Sequence, residues 1–151
     1  MPTPARTGLH FDNLEAILAD AERVALKPGV KTTGNWTPGQ IVEHVTLVID
    51  TCMEGFPSSG SWLLRAILRL MKGSVLRKPM RSGFKIPKGF EVMSPPAGTD
   101  AKQAVDHLRR SIAKFRTCDR FYPSPILGTM TSEEWEMLHC RHAEMHFGFM
   151  G

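Results

Sequence analysis

The sequence predicts an all-α fold in which four main helices form a bundle, with an additional short helix and a long irregular segment between the second and third of them. Apolar residues recur with the helical period in four stretches, a helix start signal opens each stretch, and no stretch alternates like a strand. The length of 151 residues, 42% hydrophobic and 23% charged, is typical of a single globular domain. We therefore expect one domain over residues 1–151.

The first two helices have recognisable beginnings. Asp12 followed three residues later by Glu15 is a capping-box pattern, and Thr37, Pro38 and Gln40 combine a capping box with proline at the first helical position. Residues 27–29, Lys-Pro-Gly, end the first helix. The stripes that these two helices should bury are Leu14, Ile17, Leu18, Ala21 and Val24, and then Ile41, Val45, Val48 and Cys52.

A short amphipathic helix is predicted from Ser61 to Lys72. Its basic face carries Arg65, Arg69 and Lys72, and its apolar face carries Trp62, Leu63, Ile67 and Leu70. From residue 73 to residue 99 glycine, proline and lysine recur without a period, which predicts an extended, irregular segment. Long segments of this kind often cover a functional site.

The third and fourth main helices carry the same start signals. Asp100 with Gln103 opens the third, which should bury Val105 and Leu108 and then Ile112 and Phe115, and residues 119–128 end it. Thr131 with Glu134 opens the last helix, and that helix contains three of the six histidines of the chain.

The histidines of the last helix indicate a metal site. At about 100° per residue, His139, His142 and His146 fall within roughly 60° of one another, and Trp135 shares this arc. Three unpartnered imidazoles in a core would be costly, and the HxxxH spacing lets two of them bind one ion. His44, at the border of the second helix's buried stripe, is the predicted third ligand.

The sequence also suggests roles for the other polar residues near this site. His139 is a fourth ligand, a side chain that orients a ligand ring, or a histidine bonded to a carbonyl; we favour the second. His10 and His107 are expected to be exposed. Glu43 and Glu144 adjoin or lie between ligands in sequence but point to other helix faces, so an HExxH-like general base is not predicted.

Charge and cysteine content bear on the possible partners and on the cell compartment. No acidic residue lies between Gly55 and Phe90, where eight cations are found. This basic segment lacks the interleaved aromatics of a stacking platform, so contact with nucleic acid or a membrane surface ranks last and neither partner is expected. Three scattered cysteines without a CxxC pair indicate reduced thiols, and the absence of an apolar leader favours a cytoplasmic location.

Three stretches, GNWTPGQIVEHV, IDTCMEGFP and LGTMTSEEWEMLHCRHAEMHF, resemble the DinB/YfiT-like superfamily, and within it a bacterial branch known only as a domain of unknown function. The resemblance covers residues 35–149 and includes KIPKGFEVMSPP. It implies a DinB-like four-helix bundle with a metal held by His44, His142 and His146. Some relatives carry a histidine where this chain has Met145, which leaves the three ligands intact.

Characterised members of that superfamily include mycothiol-dependent isomerases and bacillithiol or glutathione transferases, in which the metal activates a low-molecular-weight thiol. The resemblance thus implies a divalent metal, zinc or nickel, and a transferase or isomerase that joins such a thiol to a small electrophile. Arg77, Lys78 and Arg81 are the predicted binding residues for the anionic thiol. A non-catalytic metal-binding bundle is the alternative function. The sequence does not decide whether the chain forms a homodimer.

Overall fold

Helices make up almost all of the regular structure in this computed structural model, which describes residues 2–57, 62–83, 85–86 and 88–151. Within those ranges the fold is all-α, with six α-helices, one 3₁₀ turn at Glu91–Met93 and no strand. The helices are α1 (Leu14–Val24), α2 (Pro38–Glu54), α3 (Trp62–Leu70), α4 (Lys72–Arg77), α5 (Ala101–Arg116) and α6 (Ser132–Phe147). None of them is long and apolar enough to cross a membrane.

The predicted capping signals determine where the long helices begin. Both capping boxes form, with Thr37 at the start of α2 and Thr131 at the start of α6, and Asp100 accepts a hydrogen bond from the amide of Gln103. The prediction for α1 was wrong by one residue. Asn13, not Asp12, caps α1, because its side-chain oxygen accepts from the Ala16 amide at 2.9 Å.

The four long helices surround one core. α2 packs against α5 and α6, and α1 packs against the same two helices from the other side. At Gly39 the start of α2 lies against the residues that lead into α5, where an added Cβ would lie 2.2 Å from the Thr99 carbonyl oxygen. The stripes predicted for α1, α2 and α5 are buried except for Leu18 and Val48, which are half-buried.

The region between α2 and α5 differs from its prediction. Ser61 lies outside the described residues, the predicted short helix corresponds to α3, which ends at Leu70, and a further short helix, α4, begins at Lys72. The segment from 73 to 99 is not irregular throughout, because it contains most of α4 and the 3₁₀ turn. The apolar face of α3 does not pack on the bundle: Trp62 is 76% exposed and Leu70 is 90% exposed.

Candidate metal centre

His44 of α2 meets His142 and His146 of α6, as the sequence predicted. One ligand atom from each ring lies within 4.8 Å of the other two, and the ring centroids are 4.6 to 5.1 Å apart. Two of the rings come from adjacent turns of α6, because the spacing of four residues brings both side chains to one side of the helix. The capped, tightly packed α2 supplies the third ring across the helix interface.

A backbone carbonyl determines the orientation of the His44 ring. The His44 Nδ1 donates a hydrogen bond to the Met93 carbonyl oxygen over 2.7 Å, so the proton of the neutral ring resides on Nδ1. The Nε2 of His44 then carries the free lone pair. This is the arrangement by which metal-binding histidines are usually oriented. The 3₁₀ turn of the predicted irregular segment therefore supports the site.

The three rings have the chemistry of ligands. The His142 Nδ1 is buried and forms no hydrogen bond with the described residues. Burial lowers the pKa of His146 to about 3, aided by the neighbouring His44, and burial with three nearby histidines lowers the pKa of His142 well below its usual value. Burial also lowers the pKa of His44 against the opposing effect of the Met93 carbonyl. All three rings are neutral at pH 7, as metal binding requires.

Trp36, just before the start of α2, covers the site. Its ring centroid lies 4.8 Å from that of His44, and it stacks on His146 at 5.8 Å with an interplanar angle of 25°. Sequence reasoning missed both Trp36 and the Met93 carbonyl. The position of Trp36 directly before the cap of the His44 helix was the only available signal, because nothing in a sequence marks a carbonyl contact 49 residues away.

His139 lies deeper in the core than the triad and is fully buried. It stacks on Trp135 at 5.5 Å and meets Phe115 edge-on at 6.1 Å, and neither ring nitrogen has a hydrogen-bond partner among the described residues. Burial lowers the pKa of this ring to about 3. The hydrogen bond by which it would orient a ligand ring is not formed, so its place beside the ligands stays a prediction.

The prediction that His107 is exposed was wrong. Its Nδ1 lies 3.0 Å from Glu43 and its Nε2 lies 3.0 Å from Asp50, so this half-buried ring bridges two carboxylates of α2. Asp50 also accepts from the Ser111 hydroxyl at 2.6 Å. Glu43 is thereby engaged away from the triad, in agreement with its predicted orientation, whereas His10 is exposed as expected.

Glu144 and the cysteines do not form part of the triad either. Glu144 accepts from the Phe11 amide at 2.7 Å and pairs with Arg141 at 2.6 Å, which leaves it on the other side of α6. Burial raises the pKa of the Cys140 thiol to about 12 and raises that of Cys52 as well. Cys52, Cys118 and Cys140 are all free, in agreement with the reduced thiols predicted.

The basic residues predicted to bind a thiol lie apart from the histidines. Arg77 lines a cavity of about 270 Å³ together with Met137, Cys140 and Arg141 of α6. At about 100° per residue, that side of α6 is roughly opposite the side carrying His142. No contact within the described ranges joins Arg77, Lys78 or Arg81 to the triad, and their binding of a ligand stays a prediction.

Comparison with known families places the chain in a group without an established activity. A family described as protein of unknown function, DUF1569, matches residues 4–151. The chain belongs to this family. No curated protein matches the chain, and no solved structure matches it either. The prediction of a domain of unknown function is confirmed, while the link to the DinB/YfiT-like superfamily rests on the motifs quoted above.

Proposed function

We propose that this DUF1569 protein binds one divalent metal ion, zinc or nickel, through His44, His142 and His146. The observation that carries the proposal is that three imidazole rings place ligand nitrogens within 4.8 Å of one another between α2 and α6. Unpartnered nitrogens in a protein interior cost free energy, about 1 to 3 kcal/mol each by mutational measures, and coordination of a metal removes that cost. The donor set suits ions that prefer imidazole.

The same geometry supports a DinB-like four-helix bundle. In the superfamily that the motifs resemble, one histidine from the second helix and an HxxxH pair from the last hold the metal. Here His44 comes from α2, the second long helix, and the pair comes from α6, the last. The packing of α1 and α2 against both α5 and α6 supports such a bundle.

Three protein ligands leave at least one coordination position for another molecule, which is typical of catalytic zinc sites. A bound ion supplies one kind of chemistry there: it lowers the pKa of a coordinated thiol or water so that a nucleophile exists at neutral pH. Two groups of the chain orient and cover the ligand rings. The Met93 carbonyl holds the proton of His44 on Nδ1, and Trp36 shields the His44 and His146 rings.

We infer that the reaction is a transfer or isomerisation in which a low-molecular-weight thiol attacks a small electrophile. Burial raises the thiol pKa of Cys52 and Cys140, which favours an external thiol over either of these cysteines as the nucleophile. We also propose that Arg77, Lys78 and Arg81 attract this anionic thiol. The second candidate is a non-catalytic site, and the observation that favours it is that the ligands join two different helices and so could simply tie them together.

Metal content tests the binding proposal. His44→Ala, His142→Ala and His146→Ala should each lose stoichiometric zinc after dialysis against a dilute zinc buffer, because two ligands form a weak, open site. His139→Ala should lose less. His10→Gln, which removes an exposed histidine of the same chain, is the matched control and should keep full occupancy. Full occupancy in the His142→Ala variant would refute the site.

Turnover assays separate the two candidates. The zinc-loaded protein is mixed with glutathione, bacillithiol or mycothiol and a panel of small electrophiles, and thiol consumption is followed. An enzyme should consume thiol faster than the His142→Ala variant does. Replacing Arg77, Lys78 and Arg81 together by glutamine should weaken thiol binding at low salt without changing the zinc content. Equal rates for the wild type and the His142→Ala variant with every thiol would favour the non-catalytic site.

A further inference from the structure

The exposed face of α3 is the largest unexplained feature of the described surface. Five large apolar side chains lie on one side of α3 and its junction with α4, and all are at least 48% exposed: Trp62, Leu63, Ile67, Leu70 and Met71. At about 100° per residue they cover one half of the helix. A contiguous apolar patch of this kind marks a surface that contacts something else. We call these five residues the α3 patch.

Two cations next to the α3 patch, Arg69 of α3 and Lys72 at the start of α4, contact the rest of the protein. Lys72 pairs with Glu134 at 2.6 Å and donates to the Thr129 carbonyl oxygen at 3.1 Å. The guanidinium of Arg69 lies against Gly128, so close that a Cβ there would be 2.6 Å from its Nε. Turning the α3 patch inward would break these contacts. Arg69 and the partly buried Leu68 of α3, together with Lys72 of α4, therefore contact the rest of the protein, while the α3 patch is directed away from it.

Charge around the α3 patch indicates what covers it. The chain carries no acid from Gly55 to Phe90, and Arg77, Lys78, Arg81, Lys85 and Lys88 follow the patch in sequence and are all exposed. A second copy of the chain would bring the same cations against them, which is unfavourable. Nucleic acid would match the charge, but its polyanionic backbone would not bury the aliphatic side chains. An anionic lipid surface matches both the charge and the apolar residues.

We propose that the α3 patch binds reversibly to membranes rich in anionic lipid, with Trp62 and Leu70 entering the interface and Lys85 and Lys88 meeting the headgroups. A tryptophan with aliphatic neighbours on one side of a short helix is typical of helices that lie in the plane of the membrane. The ends of α2 and α6 next to this helix are those remote from the triad. The proposal is therefore independent of the metal site.

Flotation with vesicles tests the proposal on the full chain. Vesicles of three parts phosphatidylcholine to one part phosphatidylserine should carry the protein, vesicles of phosphatidylcholine alone should not, and added salt should weaken the binding. Leu70→Gln should lower the partition coefficient about tenfold, since it removes one inserted side chain. Leu26→Gln, at a residue 41% exposed outside the patch, is the matched control and should change nothing.

Tryptophan fluorescence locates the contact. Emission should shift to shorter wavelength on addition of the anionic vesicles, and the shift should vanish in Trp62→Phe because Trp135 is buried and Trp36 lies at the triad. Circular dichroism of each variant checks that it is folded. Failure to bind either vesicle, equal binding to both, or binding unchanged by Leu70→Gln overturns the proposal. A dimer that Leu70→Gln dissociates, without vesicle binding, would assign the patch to a second copy.

Discussion

Mild acid should strongly destabilise the metal-free protein, because it favours protonated histidines that the core cannot accept. The pKa values of His139 and His146 are lowered to about 3, and that of His142 is lowered well below its usual value. Near neutral pH these rings are uncharged in both the folded and the unfolded chain. Below about pH 6.5 only the unfolded chain takes up the protons, so stability is lost as the pH falls from there towards the folded pKa values.

The loss of stability can be worked out from the lowered pKa values. Between about pH 7.5 and pH 5.5 each such histidine costs about 1.4 kcal/mol, so the three together cost about 4 kcal/mol. His44 acts in the same direction. Because whole domains are stable by about 5 to 15 kcal/mol, a loss of this size should lower the urea midpoint markedly.

Urea unfolding in the presence of a chelator, followed by circular dichroism at both pH values, measures this loss. His139→Phe should reduce the loss by about 1.4 kcal/mol, because it removes one of the three groups while keeping an aromatic ring against Trp135. Met145→Leu, a non-titrating change on the same helix, should keep the full loss. A change in stability below about 1 kcal/mol for the wild type would show that the core accommodates charged histidines and would refute the reasoning.

Three further perturbations have expected outcomes. Gly39→Ala should cost about 1 to 3 kcal/mol in urea unfolding, because its Cβ would collide with the Thr99 carbonyl oxygen between α2 and α5; wild-type stability would contradict the packing. Arg6→Met should lower the free energy of unfolding by about 3 kcal/mol, because it breaks the paired hydrogen bonds of 2.9 and 2.8 Å to the buried Asp20. Arg23 is a mostly exposed partner of the same carboxylate, so Arg23→Met should lower it by under about 1 kcal/mol. Chelation should remove about 2.7 kcal/mol from protein held at a hundred times its metal dissociation constant, which lowers Tm by several degrees while helical circular dichroism persists at room temperature; complete loss of helix would make the ion structural.

The sequence was sufficient to predict features that depend on residues close together in the chain. The capping boxes at Thr37 and Thr131 lie within four residues of chain, so their pattern alone predicts where α2 and α6 begin. The HxxxH pair is equally local, since helix geometry brings His142 and His146 together. His44 was predicted from its position at the edge of an apolar stripe, and the structure places it beside them.

The sequence was insufficient to predict features that depend on contacts between distant segments of the chain. His107 appeared exposed on its own helix, yet α2 presents Glu43 and Asp50 to both of its ring nitrogens. The amphipathic period of α3 identified an apolar face, and the structure leaves that face exposed. Periodicity identifies the two faces of a helix and does not say which of them meets the bundle.

X-ray absorption at the zinc edge of the zinc-loaded protein tests the central claim most directly. The account predicts three imidazole nitrogens at about 2.0 to 2.1 Å, one or two light atoms from solvent or buffer, and no sulfur. In His142→Ala the imidazole signal should fall or the zinc should be lost. A sulfur ligand at about 2.3 Å, or a zinc environment of oxygen atoms without imidazole, would contradict a site made by His44, His142 and His146.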